Sequence, residues 1–135
     1  VINYKTTDFS KWVNEKFGKP QRRTYDGGVD VVINFTGGDT WAPSLKCVKR
    51  GGSILTCGAT AGFDPKEDLR YIWSFELNIK GSNSFYNEDL SALMGMIQAG
   101  TMKPVVDVVL PLEKAKEGLA LIENREVFGK VVVTP

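Results

Sequence analysis

The sequence contains no histidine, and that single absence removes Ser-His-Asp and Cys-His catalytic arrangements, His-ligated zinc and the commonest general base near neutral pH. Cysteine is scarce: Cys47 and Cys57 are the only two, with no cysteine-rich framework and no secretory leader, so a reduced, cytoplasmic setting is the expectation. Long apolar runs are missing as well. The valine-rich stretch from Val105 to Leu110 is broken by Asp107, far short of the roughly 18–20 residues that span a bilayer, so a soluble chain without a membrane partner is expected. Neither sign of charge prevails: Lys and Arg total 17, Asp and Glu 16, for a net +1. No sequence-wide field recruits nucleic acid or anionic lipid. The Arg22-Arg23 pair and the Lys46, Lys49, Arg50 group read as solvated faces. Also absent is any G-x-G-x-x-G turn, the element with which parallel nucleotide-binding sheets grip a pyrophosphate.

What remains is a chain of 135 residues, long enough to bury roughly two thirds of its extended surface. Its most telling stretch, Gly27 to Ala59, reads as strand, small-residue turn, helix, strand and second small-residue turn. Val29 to Phe35 is mostly apolar without clean alternation, the pattern of a parallel strand covered on both faces. Thr36-Gly37-Gly38 permits a tight turn, Asp39 is placed to cap the next helix, and Pro43 is tolerated in a first turn. Trp41, Leu45 and Val48 form that helix's predicted buried stripe, Gly51-Gly52 its end, and Ser53 to Cys57 the following strand.

Around this unit the punctuation is regular. Val1 to Tyr4 reads as a short strand; Thr7-Asp8 caps a helix bearing Phe9, Trp12, Val13 and Phe17, which Gly18 stops. Lys19 to Gly28 is an exposed connection. Leu69, Ile72 and Trp73 indicate a short helix before a strand at Leu77 to Gly81. Asn87 is the predicted cap of a helix with Leu90, Leu93, Met94 and Ile97 on one face and Gly100 as its stop. Beyond Pro104 come a valine-rich strand, a helix with Leu112, Ala115, Leu119 and Ile122 inward, and a β-branched strand at Val131 to Thr134.

In this order the segments VINYKTTDF, GGVDVVINFTGGDTWAPSL, VKRGGSILTCGAT, DLRYIW, IKGSNS, KPVVDVVLPLEKAKEGLALIE and FGKVVVTP resemble the C-terminal part of the medium-chain dehydrogenase/reductase superfamily, the zinc-type alcohol dehydrogenases and quinone reductases. The resemblance implies an α/β fold: a partial Rossmann doubly wound parallel sheet lacking its first βαβ unit over residues 1–103, then a strand-helix-strand segment over 104–135 that returns to a catalytic domain. By it Val1 corresponds to the third Rossmann strand, and the start without methionine fits a cleaved or truncated product whose catalytic domain and glycine fingerprint lie elsewhere. One departure is visible. Family members often carry an acid near the end of the fourth strand, where this chain has Asn34 followed by Phe35.

Ligands of open α/β sheets sit beyond the carboxyl ends of the strands, which selects Thr36-Gly37, Cys57-Gly58-Ala59 and Ser82-Asn83-Ser84. Each turn alone is adequately explained as chain reversal; together, at the family's positions, they imply contacts to nicotinamide and its ribose. The resemblance also implies a 2′-phosphate contact from Tyr4, hence NADP ahead of NAD, and a pyrophosphate contact from Lys130. Ordinary strand and surface roles compete for both. Cys57 reads as a small buried filler at a strand end rather than a nucleophile. The sequence names no catalytic residue and no metal ligand, and any zinc of the parent would be held by residues outside this chain.

The reading is therefore a fragment, itself inactive, of an NAD(P)-dependent oxidoreductase that transfers hydride to or from a carbonyl, alcohol or activated alkene. Homodimerisation is expected through the strand at 77–81. The alternatives are a non-enzymatic module kept for dimerisation or assembly and, more remotely, a methyltransferase-like Rossmann relative. In the Rossmann order the first two strands lie between the third and fourth. Without them VINYK is expected either to move beside the Val29–Phe35 strand or to leave that edge for another copy to cover.

Overall fold

The computed structural model describes residues 1–135, which form two compact units, Val1–Ser84 and Phe85–Pro135.

The first unit begins with α1 (Phe9–Phe17), whose boundaries follow from its two ends. Asp8 Oδ1 accepts from the N–H groups of Ser10 at 2.9 Å and Lys11 at 3.2 Å and from the Ser10 hydroxyl at 2.8 Å, satisfying donors the first turn cannot use. The Ser10 hydroxyl leads the interactions that hold this carboxyl below the usual range. Three parallel strands follow: β1 (Val29–Ile33), β2 (Val48–Thr56) and β3 (Asn78–Gly81), in spatial order β1-β2-β3. Between them lie α2 (Trp41–Leu45) and α3 (Leu69–Ser74). The core is Trp41, Leu45, Val48, Ile54 and Leu77, with Val32, Tyr71, Ile72 and Phe75 packed against it.

Several expectations change here. Trp41, Leu45 and Val48 are buried as expected, yet α2 stops at Leu45 and Val48 already belongs to β2. Gly51-Gly52 does not end a helix. Gly51, at φ 75°, lies inside β2, with its N–H turned to Phe75 O at 2.8 Å. Arg50 beside it clasps Glu76 at 2.6 and 3.0 Å and lies over the Tyr25 ring. Asp39 makes no capping bond; Gly37, at φ 67°, takes the cap position of a 3₁₀ turn, Gly38–Thr40, that precedes α2.

Val1–Tyr4 is not a strand. Asn3 folds it into a turn, its side chain accepting from Lys5 N–H at 3.0 Å and its carbonyl from the N–H groups of Thr6 and Thr7. An extended segment is held only by a neighbouring strand, and an asparagine offers local bonds in its place. β1 therefore pairs with β2 alone and its other edge is open. Its apolar run also has only one covered face: Val32 packs on the core, while Val31 and Ile33 are 50% and 64% exposed.

The second unit holds α4 (Asn87–Gln98), β4 (Val106–Pro111), α5 (Ala115–Glu123) and β5 (Lys130–Thr134), with β4 and β5 parallel. Asn87 is the first helical residue of α4 rather than its cap, and the Tyr86 N–H donates to Asp89 Oδ2 at 2.9 Å. Gly100, at φ 73°, ends the helix as expected. α5 meets the two strands at Gly118, where a Cβ would come within 2.9 Å of Val131 and 3.2 Å of Leu110. Leu112, Leu119 and Ile122 are exposed, not inward. A two-stranded sheet has too little surface to cover them. No helix in the chain is long and apolar enough to cross a membrane.

Candidate functional site

The carboxyl ends of β1 and β2 emerge side by side because Val32 and Ile33 are in register with Ile54 and Leu55. The turns that follow are interlocked through backbone. Gly38 N–H donates to Gly62 O at 2.8 Å, Ala61 N–H to Thr36 O at 2.7 Å, and Gly62 N–H to Ala59 O at 3.0 Å. Contact this close needs glycine: a Cβ on Gly37 would stand 2.4 Å from Gly62 O, and one on Gly58 3.0 Å from Phe35 O. Between and beyond the turns lies a cavity of about 370 Å³ walled by Gly37, Thr56, Gly58, Ala59, Phe63 and Glu67, among others.

Asn34, buried at the end of β1, organises the first turn. Its Oδ1 accepts from Thr36 N–H at 3.0 Å and Gly37 N–H at 2.9 Å; its Nδ2 donates to Thr40 Oγ1 at 3.1 Å and Ser44 Oγ at 2.9 Å. Sequence reasoning noted Asn34 only as a departure from an acid. It also missed the bond between Trp41 and Glu67 in the cavity wall, Nε1–H to Oε1 at 3.1 Å. No local pattern connects two residues so far apart in the chain.

Of the residues picked from the sequence, Gly37, Gly58 and Ala59 line the cavity, while Thr36 and Cys57 sit in the same turns without lining it. Ser82, Asn83 and Ser84 follow β3 at the same sheet edge, Thr56 being in register with Gly81 and Ser82 N–H donating to Thr56 O at 2.8 Å. The N–H groups of Gly58, Ala59, Asn83 and Ser84 donate to nothing in the chain, leaving donors at this edge for a ligand's acceptor atoms. Tyr4 is 70% exposed on the N-terminal turn and is not on the cavity wall. Lys130 opens β5 of the other unit, exposed, its N–H bonded to Val105 O at 2.8 Å. No three His, Cys, Asp or Glu side chains converge as a metal site would require.

A family model described as zinc-binding dehydrogenase matches residues 1–133. The chain belongs to the zinc-binding dehydrogenase family. Within the wider medium-chain dehydrogenase/reductase superfamily it is 32% identical to the acryloyl-coenzyme A reductase of Sulfurisphaera tokodaii, over 91% of this chain and 36% of that protein. A solved NAD-dependent alcohol dehydrogenase superposes with TM-score 0.82 at 34% identity, over 99% of this chain and 37% of the other. A 2-octenoyl-CoA carboxylase reductase solved with NADP and 2-octenoyl-CoA gives TM-score 0.79 at 30% identity, over 93% and 26%. The chain thus spans about a third of the length of the curated relatives it matches, and its parallel sheet is the Rossmann-like part of these dehydrogenases.

The two cysteines of this family member differ sharply. Cys57, expected as a buried filler, is exposed, because it lies past the end of β2 in the open turn; Cys47 is buried, and burial, with a smaller contribution from the Asp8 carboxylate, pushes its thiol up to about 11. A thiol reagent at pH 8 is expected to modify Cys57 in the native protein and Cys47 only after denaturation. Equal native rates for both would contradict the packing around Cys47.

Proposed function

We propose that this chain supplies the nicotinamide-facing part of the cofactor site in a longer NAD(P)-dependent oxidoreductase. The observation that carries the reading is the pair of interlocked glycine turns at the carboxyl ends of β1 and β2, open onto a cavity edged by unused backbone donors. Flat aromatic ligands need such close backbone approach, and a carboxamide oxygen needs such N–H groups. Thr36, Gly37, Gly58 and Ala59 would hold the ring and Ser82, Asn83 and Ser84 its carboxamide and ribose, with Cys57 as backbone support. Bound there, nicotinamide supplies the hydride chemistry, while these residues orient one ring face and keep water from it.

NADP is the preferred form, through Tyr4, and Lys130 is the pyrophosphate partner. The substrate is a carbonyl, an alcohol or an activated alkene; the names of the reductase relatives favour an alkene conjugated to a thioester. Polarisation of that substrate, and any zinc, falls to residues outside this chain, which alone is inactive. The protein works in the cytoplasm as a homodimer through the free edge of β3, where Ile79 is 37% exposed. The bare face of β1, with Val31 and Ile33, supports the view that further chain covers this sheet. Fluorescence titration of the longer polypeptide with NADPH and NADH tests the reading. Saturable binding with NADPH the tighter is expected; binding of neither contradicts it.

A further inference from the structure

The wall of the cavity carries negative charge and nothing that neutralises it. Asp64 and Glu67 line it, and no lysine or arginine does; Lys66 stands between them in the chain but off the wall. The salt bridges of the chain engage Asp30, Glu76, Asp68 and Glu117, so neither wall carboxylate has a cationic partner. Over the whole chain the 17 basic residues balance the 16 acidic ones. The imbalance is local to this cavity.

Glu67 is also held in place. Its Oε1 accepts from the Nε1–H of Trp41 at 3.1 Å, and that indole, 8% exposed, belongs to the core. The segment that carries Glu67 is tied to the first turn at its start, through Ala61 N–H to Thr36 O and Gly38 N–H to Gly62 O. Its far end is tied by Asp68, whose Oδ1 accepts from Arg70 N–H at 3.1 Å to cap α3. A charge fixed in this way needs no reorganisation when a ligand enters, and water displaced by that ligand no longer screens it. Such a wall repels phosphate and carboxylate groups and attracts a cation.

The two redox forms of a nicotinamide cofactor differ in this respect alone: the oxidised ring is a cation and the reduced ring is neutral, while the adenosine and phosphates are common to both. We propose that Asp64 and Glu67 make the site selective for the redox state of the ring, favouring the oxidised form, with Glu67 the stronger determinant because Trp41 pins it. The inference rests on the cofactor reading given above. It assigns to that site a preference that the glycine turns, which present only uncharged backbone, do not supply.

Glu67→Gln is the test, since glutamine keeps the oxygen that Trp41 bonds and removes the charge alone. Calorimetric titration of the longer polypeptide, without substrate, gives dissociation constants for NADP⁺ and NADPH, and whatever the shared phosphates contribute cancels in their ratio. In Glu67→Gln, NADP⁺ should weaken about fivefold relative to NADPH, and in Asp64→Asn about twofold. In Glu15→Gln, which removes a carboxylate of α1 that is off the cavity wall, the ratio should keep its wild-type value.

A loss shared equally by the two forms in Glu67→Gln, or no loss, shows that the residue acts by shape only; it overturns the inference and leaves the cofactor reading in place. Binding of neither form by the wild type overturns both. Should Glu67→Gln fail to fold, Asp64→Asn decides, because exposed Asp64 can lose its charge without disturbing the core. An unchanged ratio there overturns the inference.

Discussion

Gly37→Ala is expected to cost about 3 kcal/mol or more of unfolding free energy and to eliminate cofactor binding. Two penalties coincide at this residue. Its backbone, at φ 67° and ψ −149°, borders a region that side chains other than glycine essentially do not enter. Its new methyl would also stand 2.4 Å from Gly62 O and 3.1 Å from Ala59 Cα, main-chain atoms that cannot swing aside. The turns must part, and the cavity wall parts with them. Gly81→Ala is the control, since a Cβ there meets nothing within 4 Å. Urea unfolding of both variants measures the difference. A Gly37→Ala protein within 1 kcal/mol of wild type, on the scale of ordinary surface substitutions, would show that the turns are not interlocked.

Ile54→Ala is expected to be as damaging by a different route. Ile54 is wholly buried in β2, the middle strand of its sheet, and is flanked in register by Val32 and Ile79. Removing its side chain from such a position costs about 2–5 kcal/mol, the spread reflecting how far the surroundings collapse. Here collapse is limited, because the large side chains of Trp41, Leu45 and Val48 already pack in the same cluster. The fully buried side chains are few, Leu45, Ile54, Val48 and Cys47, so no second layer compensates. Thermal unfolding followed by circular dichroism should show a fall in midpoint, or no cooperative transition. An unchanged midpoint would mean that the apolar cluster does not carry the stability of the first unit.

How much of this was legible beforehand differs from element to element. α1 was readable at both ends because its signals are local: Thr7-Asp8 at one end, Gly18 at the other and four apolar residues between. The end of α2 was not. Trp41, Leu45 and Val48 have helical spacing and are all buried, yet the sheet claims Val48, and periodicity alone cannot distinguish a buried helix position from the first residue of a buried strand. Val1–Tyr4 has a strand composition, but β propensity measures fit to neighbouring strands, and no strand lies beside it here.

The site divides in the same way. Glycines after strands pointed to Gly37 and Gly58, since the requirement for close backbone approach is written in the residue type. Asn34 was seen, but only as a missing acid; its role depends on Thr40 and Ser44 returning to it from the next turn and helix. The Trp41–Glu67 bond has no signal in sequence at all. Tyr4 and Lys130 were chosen by resemblance; Tyr4 is not on the cavity wall, and Lys130 belongs to the other unit. Their contacts with a cofactor therefore remain proposals about the longer protein.

Ala59→Trp most directly tests the claim that these turns frame a nicotinamide ring. Ala59 is on the cavity wall, and its N–H serves no other residue of the chain, so an indole there fills the space the ring would take. In the longer polypeptide, with folding verified by circular dichroism, titration with NADPH should saturate for wild type and show no saturable binding for Ala59→Trp. Equal affinity in the two proteins would place the cofactor elsewhere and contradict the account.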